Sequence, residues 1–168
     1  MNEKLIIDEN FPEILNLFYN NEVYLVEEKI NYDEIISEGG NKYRFLNIIS
    51  HNNEGMLTSE QKDFFFKMIN AIRTDKITMD ADGYSMINVY NYKGLTWQNI
   101  EKLYSPKYCV FWGVNPEVFK LTCKLYGGLL HNGCKIIFVD NMTKISNDVV
   151  LKRNLWNLIQ RLFGMNKA

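Results

Sequence analysis

Residues 107–114, KYCVFWGV, are almost entirely apolar and decide the fold class. An apolar run of this length is typical of a strand that is buried on both faces, as in the middle of a parallel sheet. Pro106 lies directly before this run, and Gly113 near its end allows a tight turn, after which Asn115 and Pro116 start a helix. We therefore predict a central strand here, in a sheet that needs helices on both of its faces.

Helix and strand patterns alternate on both sides of this run. The predicted strands cover 43–50, 84–90, 107–114 and 134–140, and the predicted helices cover 59–72, 96–104, 115–125 and a terminal segment capped by Ser146 or Asn147. Thr58 and Gln61 have the spacing of a capping box at the start of the first of these helices. This order predicts the α/β class: one three-layer α/β/α domain over residues 42–168, with a mainly parallel central sheet of about four strands.

Residues 1–41 differ from the rest of the chain and are predicted to form an acidic N-terminal helical arm and linker. Residues 1–40 hold ten acidic residues and two lysines, a formal charge of −8, so the remainder carries +7 of the total of −1. Within the arm, 10–20 has the pattern of a short helix with one apolar face. A helix this short is marginal in water, so its apolar face is expected to pack on the body or on a partner.

Length and composition exclude several classes of protein. The chain has 168 residues, 46% of them apolar, which suits one folded domain. No apolar run approaches the ~20 residues of a membrane span, and the acidic N-terminus lacks the basic region of a secretory signal. A cytoplasmic protein without membrane contact is therefore expected. The positive charge of the body permits a weak, nonspecific affinity for nucleic acid.

The sequence predicts no cofactor and no metal site. Glycine-rich nucleotide-binding loops and the G-x-S-x-G elbow of hydrolases are absent. The three cysteines (Cys109, Cys123 and Cys134) and the two histidines do not have the spacing of zinc ligands. Cys109 and Cys134 fall in strands that we expect to be buried. His51, which follows a predicted strand, and His131 are the candidates for acid–base chemistry.

The segment FWGVNPE, residues 111–117, can be interpreted in two ways. It resembles the G-[IV]-N-P motif at a strand end of the mismatch-type uracil-DNA glycosylases, in which the Asn positions the attacking water. That resemblance implies Asn115 as the catalytic residue of a glycosylase-like enzyme, which would act on a flipped base. The second motif of those enzymes, a Pro-Ser loop after the last strand, has no counterpart in 140–147, DNMTKISN. The alternative is that GVNP only ends a strand and starts a helix.

The last predicted helix, LKRNLWNLIQRLFG at 151–164, is amphipathic but carries a lysine on its apolar side. Lys152 projects toward the side of the helix that holds Trp156. Its methylene groups can cover the indole while the amine reaches water. Alternatively, the amine reaches an acid at the carboxyl edge of the sheet, for which Asp140 is the candidate.

The C-terminal region, FVDNMTKISNDVVLKRNLWNLIQRLF, resembles the end of the psi subunit of bacterial DNA polymerase III. In that family the last strand leads through a loop and an acidic turn to a helix with a Lys-x-x-Leu-Trp pattern. The matching residues of this chain are Asp148, Lys152, Leu155 and Trp156.

Two more segments are similar to psi. ILNLFYNNEVYLVEE at 14–28 resembles the N-terminal segment of that family, in which an aromatic residue and a leucine are matched here by Tyr24 and Leu25. VFWGV at 110–114 lies where psi has its apolar strand.

The psi resemblance implies a small, non-catalytic α/β subunit with a glycosylase-like fold, which acts as an adaptor in the clamp-loader complex. Its N-terminal segment would bind the clamp-loader ATPase subunit, and its body would pair with a chi-like subunit. The expected anchors of the N-terminal segment are its apolar side chains: Phe11, Ile14, Leu15, Phe18, Tyr24 and Leu25. Contact with nucleic acid would be weak or indirect.

Overall fold

The computed structural model describes residues 35, 37–52, 56–90, 92 and 94–165. This part of the chain forms a mixed sheet with helices on both faces. The strands are β1 (Ser37–Glu38), β2 (Phe45–Ile49), β3 (Tyr84–Asn88), β4 (Tyr108–Trp112), β5 (Gly128–His131) and β6 (Cys134–Val139). The helices are α1 (Ser59–Ala71), α2 (Trp97–Tyr104), α3 (Met142–Ser146) and α4 (Val149–Phe163), with a 3-10 turn at Pro116–Phe119.

The sheet has the strand order β1-β3-β2-β4-β6-β5. Strand β2 pairs in parallel with β3 and β4, and β4 pairs in parallel with β6. Strands β1 and β5 are antiparallel to their neighbours and form the two edges. The α/β class is confirmed, but the number of strands, predicted as about four, is six in the described residues. The edge strands were missed because they are short and partly exposed, so they have no buried apolar run.

Alternate side chains of the central strands enter two separate cores. Phe45, Ile49 and Trp112 face the side that α1, α3 and α4 cover. Leu46 and Phe111 face the opposite side, which α2 and the 3-10 turn cover. All five residues of β2 and all five of β4 are buried. The prediction that 107–114 contains a strand buried on both faces is therefore confirmed.

One polar side chain lies inside the core under α1, α3 and α4. Asn47, in the middle of β2, is fully buried. Its Oδ1 accepts a hydrogen bond from Nε1 of Trp112 at 3.1 Å, and its Nδ2 donates to the carbonyl oxygen of Ser85 at 3.4 Å. Asn47 therefore joins β2 to both neighbouring strands by side-chain bonds, and it gives the buried indole N–H its partner.

The first helix begins as predicted. Thr58 accepts from the backbone N–H of Gln61 while the Gln61 side chain accepts from the backbone N–H of Thr58, which is a complete capping box. Gln61 is itself buried, and its Nε2 donates to Oγ1 of Thr143 at 3.0 Å. Gln61 thus completes the capping box of α1 and also fixes α1 against α3.

Two predictions about helices were wrong. The helix predicted over 115–125 is only the single 3-10 turn, which ends where Lys120 adopts a φ of 56°. The cap of the terminal helix is Asp148, rather than Ser146 or Asn147. The reason is that a separate short helix, α3, with its own cap at Asn141, occupies the preceding residues.

The described fold begins before residue 42. Ile35 is buried in the core under α2, and β1 pairs with β3. Both lie on the N-terminal side of the predicted boundary between the arm and the domain. The arm's predicted helix at 10–20 and its six apolar anchors lie outside the described residues.

Cys109 and Cys134 are buried in strands, as predicted. Burial raises the pKa of the Cys109 thiol well above its usual value. Burial and the nearby Glu101 carboxylate raise the pKa of Cys134 to about 12. Both thiols are therefore protonated at neutral pH and behave as small apolar groups. Within the described ranges, none of the helices combines the length and apolarity needed to cross a bilayer.

Asn47→Ala should lower the free energy of unfolding by about 1–3 kcal/mol, because the Nε1 of Trp112 would then be a buried donor without an acceptor. Asn70→Ala is the matched control, since Asn70 is exposed on α1, and it should change the free energy by about 0.5 kcal/mol or less. Urea unfolding of the full-length variants measures both. Equal effects at the two positions would contradict a structural role for the Asn47–Trp112 bond.

Candidate functional site

The first candidate site is a recess at the carboxyl edge of the sheet, where doubly wound folds commonly bind ligands. It lies between the residues that follow β4, Gly113 to Pro116, and Asp140, which follows β6, and its volume is about 250 Å³. We call it the carboxyl-edge recess. Gly113 has a φ of 65°, and a Cβ at this position would lie 2.9 Å from the Cβ of Asn141. Only glycine allows the two loops to approach so closely.

Asn115 is exposed at this recess, but its side chain has a structural role. Its Oδ1 accepts a hydrogen bond from the backbone N–H of Glu117 at 3.0 Å and so caps the 3-10 turn, with Pro116 as the first residue of that turn. This geometry agrees with the interpretation of GVNP as the end of a strand followed by the start of a helical turn.

Asp140 uses both of its carboxylate oxygens. Oδ1 accepts from Nζ of Lys144 at 2.8 Å, and Oδ2 accepts from the hydroxyl of Tyr126 at 3.1 Å. Burial and the Asp140 carboxylate raise the pKa of Tyr126 to about 12, so the phenol is a protonated donor at neutral pH. The carboxylate therefore connects the strand end to α3 and to the loop before β5.

The two histidines do not line this recess in the described part of the chain. His51 is tied to β3 through its backbone, which exchanges two hydrogen bonds with the side chain of Asn88, at 3.1 and 2.9 Å. Burial lowers the pKa of His51, which favours the neutral ring. His131 lies on β5 with its ring against Trp97, at 6.3 Å between centroids. No group of three or more potential metal-binding side chains occurs among the described residues.

The second candidate site is a groove of about 550 Å³ between α1 and α4, which we call the α1/α4 groove. Three of the four residues that carry the psi resemblance line this groove. Lys152 and Trp156 line the groove beside Leu155, which is 2% exposed and reaches into the core. Helix α1 supplies the opposite wall with Phe64 and Met68. The amphipathic character of α4 was predicted, but the groove between the two helices was not.

The fourth of these residues, Asp148, begins α4. Its Oδ1 accepts from the backbone N–H groups of Val150 and Leu151, at 2.7 and 3.0 Å. These are two of the N–H groups at the start of a helix that have no partner within the helix. Asp148, the acidic residue of the predicted turn, is therefore a helix cap.

The structure decides between the two interpretations of Lys152. Its proposed acidic partner, Asp140, forms an ion pair with Lys144 instead. Lys152 is exposed and lies next to the half-buried Trp156. The arrangement agrees with a lysine whose methylene groups border the indole while its amine reaches water.

Comparison with known proteins assigns no family. No family model matches the chain, and no curated protein matches it.

Asp148→Ala should lower the free energy of unfolding by about 1 kcal/mol, because two N–H groups of α4 lose their acceptor. Lys152→Met, in the same turn, should change it by no more than ~0.5 kcal/mol, as an exposed substitution does. Thermal or urea unfolding of full-length protein gives both values. A large loss of stability with Lys152→Met would instead indicate that the Lys152 amine forms a buried ion pair.

Proposed function

We propose that this chain is a non-catalytic accessory subunit of the replicative DNA polymerase, and that it acts as a protein–protein adaptor in the clamp-loader complex. The observation that carries this proposal is the position of Lys152, Leu155 and Trp156. These residues, on which the psi resemblance depends, lie together at an open groove on the surface of the domain. Lys152 is exposed and Trp156 is half-buried at this groove, so part of each side chain is available to a partner.

The α1/α4 groove has the anatomy of a protein interface. Its walls are apolar and contain Phe64, Met68, Leu155 and Trp156, whereas its rim is charged. The rim residues have both signs: Glu60, Asp63, Lys67 and Lys152. A groove between two helices suits an amphipathic helix of a partner, and tryptophan is a common anchor of binding energy. In this proposal the groove receives a chi-like subunit.

The N-terminal segment supplies the second contact. Its six apolar side chains, listed in the sequence analysis from Phe11 to Leu25, would bind the clamp-loader ATPase subunit. The first four, Phe11, Ile14, Leu15 and Phe18, have the i, i+3, i+4, i+7 spacing that fits a helix-in-groove interaction. The two contacts would then lie on different parts of the chain, as an adaptor requires.

The carboxyl-edge recess supports a non-catalytic role. The Oδ1 of Asn115 caps the 3-10 turn, and both oxygens of Asp140 are bound to neighbouring side chains. A glycosylase-like enzyme remains the second candidate, because Asn115 is exposed in the same recess as a carboxylate. In that case a flipped base would enter the recess, and the Asn115 amide would orient the water that attacks the sugar.

Capture assays with the two proposed partners test the adaptor directly. Full-length protein carrying Leu15→Asp and Phe18→Asp should lose clamp-loader ATPase binding by at least about tenfold, because charges replace two apolar anchors. The same variant should keep binding to a chi-like subunit. Trp156→Ala should have the opposite pattern, because it removes the aromatic wall of the groove.

Each of these two variants controls for correct folding of the other, since each should keep one partner. Val118→Asp is a further control: Val118 is 67% exposed and lies outside the groove, so this variant should bind both partners normally. If neither the Leu15→Asp/Phe18→Asp variant nor Trp156→Ala weakens binding of either partner, the adaptor proposal is wrong.

A base-release assay tests the second candidate. Incubation of the protein with uracil-containing or mismatched duplex DNA should release no base, because the Asn115 oxygen is held by Glu117. Measurable release that Asn115→Ala abolishes would favour the glycosylase over the adaptor.

A further inference from the structure

The opposite, amino edge of the sheet carries a third concavity, which we call the amino-edge recess. It has a volume of about 560 Å³ and lies between the loops that precede β2 and β4 and the loop that follows α1. Its charged lining consists of Lys42, Arg44, Lys76, Lys107 and one carboxylate, Asp75. The lining therefore has a formal charge of +3, from four cations and one acid, although the whole chain has −1.

The fold brings these cations together from separate parts of the sequence and holds their backbone in place. The N–H groups of Lys42 and Tyr43 donate to the carbonyls of Asp82 and Gly83, at 2.9 and 3.1 Å. The carbonyl of Arg44 accepts from the N–H groups of Lys107 and Tyr108, at 2.8 and 3.1 Å.

The Arg44 side chain is also held, because its Nε donates to the carbonyl oxygen of Ser105. The segment before β2 is thus fixed against both the loop before β3 and the start of β4. The backbone that carries Lys42, Arg44 and Lys107 is therefore already ordered, which lowers the cost of binding a ligand.

Two tyrosine rings accompany the cations. The Nζ of Lys42 lies 5.2 Å from the centroid of the Tyr43 ring, and the Nζ of Lys107 lies 5.4 Å from the centroid of Tyr108. Tyr108 is 8% exposed and packs against Phe163, so it forms a wall. Tyr43 is half-buried and lines the recess. Cations beside an aromatic ring are the combination that binds a nucleotide strand.

We propose that the amino-edge recess binds single-stranded nucleic acid, with Lys42, Lys76 and Lys107 contacting backbone phosphates and Tyr43 contacting a base. The recess is lined by residues from several separate segments of the chain, which suits one strand better than a bulkier duplex. The combination of cations with a tyrosine face favours a nucleic-acid strand over an acidic peptide. This site goes beyond the proposed adaptor function and does not depend on it, because neither the N-terminal anchors nor the α1/α4 groove contributes to it.

The test is fluorescence anisotropy of full-length protein with a labelled thymidine oligonucleotide of about 20 nucleotides, over a range of salt concentrations. Lys42→Gln with Lys76→Gln should weaken binding roughly tenfold at low salt, and should reduce the slope of log K against log salt by about 1.4, for two phosphate contacts. Arg44 is left unchanged because it holds the loop through Ser105.

Lys62→Gln with Lys124→Gln is the matched control, since it removes the same charge from two exposed lysines that do not line the recess. This control should bind almost as the unmodified protein does. Equal weakening in the two double variants would mean that only net charge matters and would overturn the proposal. Tighter binding of duplex DNA, or equally effective competition by polyglutamate, would overturn it as well.

Discussion

The burial of β2 and β4 on both faces is the constraint on which the rest of this structure depends. Each of these strands presents five buried residues, so neither face of the sheet can be left to water. Helices must then cover both sides, which gives α1, α3 and α4 on one face and α2 with the 3-10 turn on the other. The single polar group in the middle of β2, Asn47, is accommodated because Trp112 and Ser85 satisfy its amide.

This arrangement leaves the candidate sites at the edges of the sheet and between the helices. At the carboxyl edge, Asp140 makes structural contacts, and its charge is balanced by Lys144. The α1/α4 groove stays open because Leu155 and Met68 reach the core while Trp156 and Phe64 are only half-buried. The amino edge concentrates positive charge. The three sites thus differ in chemistry, and the apolar groove is the one that suits a protein partner.

Much of the fold could be predicted from the sequence, because strong apolar periodicity and a capping box are local signals. The run that contains β4 and the box at Thr58 and Gln61 are examples. Strands β1 and β5 could not be predicted, since they exist only through pairing with their neighbours. The cap of α4 was predicted as Ser146 or Asn147 rather than Asp148, because the short helix α3 was not recognised as a separate helix.

The sites were harder to predict than the fold. The cap at Asp148 and the exposure of Lys152 depend on the sequence of a single helix and the residues before it. The groove, in contrast, is formed by two helices that are distant in sequence. The amino-edge recess combines residues 42–44 with Lys76 and Lys107, which only the sheet order brings together. Each fragment alone has no more charge than an ordinary surface loop.

Hydrogen exchange of the full-length protein, with and without the clamp-loader ATPase subunit, is the most direct measurement of the proposed adaptor role. Binding should slow exchange in residues 10–25, because backbone amides that become part of an interface helix are protected from solvent. Exchange around Asn115 and Asp140 should stay the same. Unchanged exchange in 10–25, together with protection at the carboxyl edge of the sheet, would contradict an adaptor that acts through its N-terminal segment.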